Sequence, residues 1–138
     1  MASSLTTDLK GLLSHASISE DPEDLEVHAG GPLGRYPTFP SAAHADSMPE
    51  VIVRPHTPEE VAAVAAYASE RGVPLVPYGG GTGIVGGTVP VGGGIVLDLK
   101  RLKHIAEMDT EAHTATVGPG IVLEDLAHAL EGRGLMLG

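Results

Sequence analysis

The chain has 138 residues, 42% of them hydrophobic and only 3% aromatic, so one domain is expected with a core built from Val, Ile, Leu and Ala. Its 8 Lys and Arg stand against 18 Asp and Glu, a net charge of -10, which excludes the basic face used by nucleic-acid binders and by anchors for anionic lipid. Cysteine is absent, and with it disulfides, thiolate catalysis and cysteine metal sites.

Residues 1–47 read as a leader. The first five residues carry no basic stretch followed by an apolar one, and no apolar run approaches the roughly 20 residues of a membrane helix. A cytoplasmic protein without an integral membrane segment is expected. Leu5, Leu9, Leu12 and Leu13 fall at helical spacing and predict one short amphipathic helix. After Asp21-Pro22 the chain turns polar and then rich in Gly and Pro, through Gly30-Gly31-Pro32 and Tyr36-Pro37-Thr38-Phe39-Pro40, and is expected to be irregular.

A second region, 48–138, is patterned far more sharply. Val51-Ile52-Val53 is a β-branched run that reads as a buried strand. Thr57-Pro58-Glu59-Glu60 supplies an N-cap, a proline at the first helical position and a capping-box glutamate. Val61, Val64, Ala65 and Ala68 then mark one apolar face, and Arg71-Gly72 suits the negative end of the helix dipole and its cap. The next strand is expected over 73–77, with Pro74 and Pro77 at its ends or on an edge. That is a βαβ unit, whose two strands should run parallel through a right-handed crossover. The loop that follows leaves from the carboxyl end of those strands, where open α/β sheets place their ligands. Further strands are expected over 94–99, 104–109 and 113–117, the last two joined by a turn at Thr110-Glu111-Ala112. Leu123, Leu126, Ala127 and Leu130 mark a final helix ending near 132–134.

The loop itself is the strongest signal. From Gly79 to Gly94, nine of 16 residues are glycine and none is charged. Glycine reaches left-handed backbone angles without a Cβ penalty, so successive amides can turn into one hollow and bind anionic oxygens. Pro77, Tyr78, Gly79, Gly80, Gly81, Thr82 and Gly83 have that composition, with the Thr82 hydroxyl as an uncharged extra donor. A plain glycine linker would not sit between two apolar strands of one compact unit, nor include Ile84, Val85 and Val89. The stretch Gly81-Thr82-Gly83-Ile84-Val85-Gly86 also fits G-x-G-x-x-G, with Asp98 near the distance of a ribose-binding acid. A nicotinamide-binding Rossmann domain would need a helix to open at those glycines, whereas Gly87-Thr88-Val89-Pro90-Val91-Gly92-Gly93-Gly94 cannot form one. A Walker A loop is excluded because no Gly-Lys-Ser/Thr occurs.

Several motifs taken in order, Pro49-Glu50-Val51-Ile52-Val53-Arg54-Pro55, 57–61, 73–83, 94–99 and Val117-Gly118-Pro119-Gly120, resemble the vanillyl-alcohol-oxidase / PCMH-type FAD-linked oxidase family. That family includes glycolate oxidase subunits, D-lactate dehydrogenases and alkyl-dihydroxyacetone-phosphate synthases. The resemblance implies an α+β fold, a PCMH-type FAD-binding subdomain in which a βαβ unit is followed by further strands and a helix. It implies that Pro77, Tyr78, Gly79, Gly80, Gly81, Thr82 and Gly83 wrap the FAD pyrophosphate. Leu99 and Val117, Gly118, Pro119, Gly120 and Ile121 would line the cofactor cleft. Some relatives attach the flavin through a histidine in this loop; Thr82-Gly83 stands there instead, implying noncovalent FAD.

The implied activity is that of an FAD-dependent oxidoreductase oxidising a small-molecule substrate, a 2-hydroxy acid such as glycolate or D-lactate. The ending Gly134-Leu135-Met136-Leu137-Gly138 lacks the Tyr-Pro-Pro-Asp-Pro-like sequence common in glycolate-oxidase relatives, which leaves the alkyl-dihydroxyacetone-phosphate synthase branch open. Members of the family continue beyond this point, so the chain reads as truncated, inactive alone, and without a nameable catalytic residue. A noncatalytic fragment that holds no flavin is the remaining alternative. The seven histidines, His15, His28, His44, His56, His104, His113 and His128, show no paired metal-ligand spacing and are expected on the solvated surface. His104 starts a strand near the implied cleft. Asp98 is expected to cap its strand end, and Tyr78 packs either on the cofactor or on the protein.

Overall fold

The structure, a computed structural model, describes residues 4–13, 17–29 and 47–138. Helix α1 (Ser4–Leu12) leads into strand β1 (Ile18–Ser19) and helix α2 (Pro22–Ala29). Strand β2 (Val51–Val53), helix α3 (Pro58–Arg71), strand β3 (Leu75–Tyr78) and strand β4 (Ile95–Asp98) follow. A hairpin of β5 (Ile105–Asp109) and β6 (Thr114–Val117) precedes helix α4 (Leu123–Glu131). No helix among the described residues is long and apolar enough to cross a membrane.

The main sheet has the order β1-β2-β4-β3. β2 and β3 do run parallel, as the βαβ reading requires, but they are not neighbours: β4 lies between them and pairs in parallel with both. The reason is hydrophobic. Ile95, Val96 and Leu97 are buried, as are Val51, Ile52 and Val53, and continuous apolar runs suit strands covered on both faces. β3 is only partly buried and takes the edge, with Pro77 in it.

Helix α3 begins and ends as its sequence dictates. The Thr57 hydroxyl accepts from the Glu60 amide at 3.3 Å, and the Glu60 carboxylate reaches back to the His56 amide at 2.6 Å. Gly72 closes it at φ 63°, a left-handed angle that a glycine adopts freely. Val64 and Ala68 are buried and Val61 packs against the core, whereas Ala65 is exposed and Tyr67 takes its place on the inner face.

The N-terminal helix is part of the same core. Leu5, Leu9 and Leu13 pack with Val51, Val53, Val64, Ala68, Ile95 and Leu97. Leu12 departs from the expected face and is half exposed, because Thr6 is buried and the inner face is rotated toward it. Asp8 ties α1 to α3, accepting from the Tyr67 hydroxyl at 2.9 Å and from Arg71 at 3.3 Å.

α2 corrects the expectation of irregular chain after Asp21-Pro22. Asp21 is its cap, the carboxylate accepting from the Glu23 and Asp24 amides at 3.0 and 3.3 Å, and Pro22 opens the first turn. The Gly30-Gly31-Pro32 and Tyr36–Pro40 stretches lie outside the described residues, as do His15 and His44.

In the hairpin, Asp109 caps the turn by accepting from the Glu111 and Ala112 amides, both at 2.9 Å. His113 belongs to that turn at φ 56° rather than to the strand expected to start there. α4 buries Leu126 and Leu130, while Leu123 remains exposed.

Candidate functional site

The site grows from the carboxyl ends of β3 and β4. The Tyr78 carbonyl accepts from the Leu99 amide at 2.8 Å, which holds the two strand ends level just where the glycine loop departs. The loop contains no helix: after Gly83 the chain runs through bends and turns to β4, so the Rossmann reading of Gly81–Gly86 fails. Among the described residues, the amides of Gly79, Gly80, Gly81, Thr82, Gly83, Ile84 and Val85 donate to no protein acceptor. Further along, the loop closes on itself, with Val89 donating to Gly86 at 3.1 Å and Gly93 to Pro90 at 3.1 Å.

Two glycines downstream bring a second segment against the first. A Cβ on Gly118 would run into the Leu102 carbonyl, and one on Gly120 into that of Leu99. Without side chains the segment lies flat on the 99–104 turn, Gly118 donating to the His104 carbonyl at 2.8 Å and Gly120 to that of Leu102 at 3.0 Å. Pro119 is then carried beside the loop, its carbonyl 3.4 Å from where a Cβ on Gly79 would stand. Residues 77–83, 99 and 117–121, distant in sequence, thus meet at one end of the sheet. Within that group Pro77, Thr82 and Gly83 are exposed, and Val117 and Ile121 are half-buried. Leu99 packs its side chain against the apolar core and offers its backbone to the site.

Tyr78 turns inward. It is 6% exposed, its ring lies 4.7 Å from that of His28 at an interplanar angle of 58°, and the Lys100 ammonium stands 4.9 Å from its centroid. Gly81 adopts φ 69°, and a Cβ there would collide with the Tyr78 hydroxyl. The tyrosine therefore forms the floor of the loop at Gly81.

His28 itself corrects the surface expectation: it is 1% exposed. Its Nε2 lies 3.3 Å from Asp98 Oδ2, and its Nδ1 lies 2.8 Å from the Asp24 carbonyl. Asp98 does cap its strand end, accepting from the Lys100 amide at 3.1 Å, but it also accepts from Arg54 Nε at 3.1 Å. Arg54 grips Asp24 with both terminal nitrogens, at 2.9 and 2.5 Å. Burial by itself would raise the Asp98 pKa; hydrogen bonds from His28 and the Lys100 amide, with the charges of Lys100 and Arg54, reverse this and hold it at about 2. Asp24 is lowered too, chiefly by its hydrogen bond from Arg54. Among the described residues no buried side-chain polar atom lacks a partner.

Sequence reasoning missed this knot of His28, Asp98, Arg54 and Asp24. Asp24 and His28 stand at i,i+4 behind an Asp-Pro cap, a local signal for one helix face, but nothing local joins them to residues 54 and 98. Of the other described histidines, His56, His104, His113 and His128 are exposed, His56 facing Arg101 at 2.5 Å. No group of His, Asp and Glu among the described residues is arranged to hold a metal.

Comparison with known proteins gives a consistent set of relatives. The FAD binding domain family matches residues 49–138. The chain is 37% identical over 131 residues to the glycolate oxidase subunit GlcD of Bacillus subtilis, covering 95% of this chain and 27% of that protein. It is 38% identical over 95 residues to a D-lactate dehydrogenase of Anaerostipes hadrus, covering 69% of this chain and 20% of that one. Among solved structures it is similar to an alkyldihydroxyacetonephosphate synthase, with a TM-score of 0.81 and 27% identity over 97% of this chain and 28% of the other. The chain therefore spans about a quarter of the length of the proteins it matches.

Proposed function

The chain belongs to the FAD binding domain family, and from that premise we propose that residues 48–138 hold FAD, noncovalently, for an oxidoreductase that oxidises a 2-hydroxy acid such as glycolate or D-lactate. The observation that carries this reading is the run of amides from Gly79 to Val85 that no protein group among the described residues occupies, at the carboxyl end of a parallel sheet. No charged side chain lies in the loop, so main-chain dipoles are what it offers a diphosphate. The flatness of the chain at Gly118 and Gly120 lets a second strip of backbone close the hollow from the side, and an added Cβ at either would lift it away.

In this reading Pro77, Tyr78, Gly79, Gly80, Gly81, Thr82 and Gly83 enclose the pyrophosphate, with Thr82 adding a hydroxyl donor. Leu99 and Val117, Gly118, Pro119, Gly120 and Ile121 line the cleft beyond it. Thr82-Gly83 stands where covalent relatives carry histidine, in keeping with a dissociable cofactor. FAD supplies the two-electron acceptor chemistry. The chain's own share is to bind and orient it, and the base that takes the substrate's hydroxyl proton lies outside these residues.

The 2-hydroxy acid is supported by the named activities of the relatives at 37% and 38% identity. The alkyl-transfer branch is a second reading, favoured by the likeness to the alkyldihydroxyacetonephosphate synthase along 97% of the chain. The deciding experiment uses the complete protein. Its flavin absorbance is followed without oxygen as glycolate, D-lactate and a panel of other 2-hydroxy acids are added. Bleaching by at least one is expected, and an oxidised spectrum with all of them overturns the oxidase reading in favour of the alkyl-transfer branch.

A further inference from the structure

The buried knot around His28 has no place in cofactor binding as described so far, yet it abuts the loop through one side chain. Gly81 carries the turn at φ 69°, and the space its missing Cβ leaves is taken by the hydroxyl end of Tyr78. The Tyr78 ring therefore packs directly beneath that turn. His28 is the ring packed against it, tilted by 58° with centroids 4.7 Å apart.

His28 is in turn held from both nitrogens, by Asp98 at 3.3 Å and by the Asp24 carbonyl at 2.8 Å. Asp98 is pinned by Arg54 and by the Lys100 amide, and Arg54 is clamped on Asp24. An apolar side chain of similar size would fill the space against Tyr78 equally well. It would not fix a direction, whereas a fully satisfied buried polar network permits one arrangement. Desolvating a histidine and an aspartate in a domain core is costly, so packing alone gives no reason for them to be there.

We propose that His28 is a positioning residue for the 77–83 loop: through Tyr78 it fixes the turn at Gly81 at the height a diphosphate requires. This rests on the reading of that loop as the pyrophosphate cradle. It makes α2, about fifty residues upstream, a working part of the cofactor site.

The test is ligand binding to the full-length apoprotein, followed by flavin fluorescence for FAD and riboflavin and by calorimetry for ADP. Riboflavin carries the ring system without the diphosphate, and ADP the diphosphate without the ring. His28→Gln keeps a hydrogen-bonding end for Asp98 but takes the ring away from Tyr78. It is expected to weaken FAD and ADP about five- to tenfold and to leave riboflavin unchanged. Tyr78→Phe keeps the ring that His28 packs against and removes the hydroxyl beneath Gly81; it is expected to weaken ADP about threefold and serves alone if the His28 variant does not fold. Equal losses for all three ligands, the mark of a merely structural role, overturn the inference. So does FAD and ADP affinity within about twofold of the unaltered protein in either folded variant. An unaltered apoprotein that binds neither FAD nor ADP sinks the cradle reading itself, a result distinct from loss of the positioning role alone.

Discussion

Strand β4 and the loop that enters it are consecutive in the chain and opposite in construction. In β4, Ile95, Val96 and Leu97 are buried, and strands on both sides pair with the backbone, so its side chains contribute the stability. In the loop, amides from Gly79 to Val85 have no partner among the described residues, while Ile84 and Val85 stand 69% and 92% exposed. One segment is specified by what its side chains fill and the other by the side chains it lacks. Hydrophobicity alone therefore says little about these positions, because isoleucine 95 and isoleucine 84 have different work.

The sharpest way to break this contrast is at the strand. Ile95→Ala removes a fully buried side chain from the central strand and is expected to cost about 2–5 kcal/mol, read as a fall in the urea or thermal unfolding midpoint. A loss under about 1 kcal/mol would show that the core closes over the gap and that β4 is not the stability centre.

The next effect lies at the strand's polar end. The Asp98 carboxyl titrates at about 2 in the folded chain, below its ordinary 3.8, so it contributes stability above the unfolded value that is lost as pH falls through the folded one. The shift corresponds to roughly 2 kcal/mol lost between about pH 4 and pH 2. Asp98→Asn is expected to lower stability at pH 7 and to flatten that acid limb in pH-dependent unfolding. A variant whose acid limb matches the unaltered protein would place the titration elsewhere.

The smallest effect is expected in the loop. Ile84→Ala deletes the same atoms as Ile95→Ala from an exposed position, and unfolding should move by no more than about 0.5 kcal/mol. A larger change would mean that Ile84 is covered in the complete protein and would blur the contrast from the loop's side.

What the sequence made legible was local. The Thr57-Pro58-Glu59-Glu60 start and Gly72 stop of α3 each act within one turn, and both are present as read. The apolar run of β4 and the bare composition of 79–94 likewise announce themselves without reference to anything distant. Position in the sheet did not: that β4 separates β2 from β3 depends on competition among three apolar strands for the most covered place. The start of α2 was written in Asp21-Pro22, but its inward positions are Leu25 and a histidine, so the apolar period that identifies a helix is broken. The least legible part was the contact of His28 with Asp98, 70 residues apart, in which two polar residues become core only by meeting each other. For the candidate site, residues 77–83 stood out as a glycine-rich segment and 117–121 only through the family resemblance, while the packing of Tyr78 beneath Gly81 is a tertiary contact with no local signal.

Pro77 has a consequence for the protein's life in a crowded solution. The carbonyls of Pro74 and Tyr78 accept from β4, so alternation along β3 turns the backbone of Leu75 and Pro77 outward, along the rim of the sheet. An unguarded rim recruits extended segments of other molecules, and a proline there removes one of the donors such recruitment needs. The pyrrolidine ring of Pro77 thus blunts the rim of the sheet as a seam for pairing with other chains.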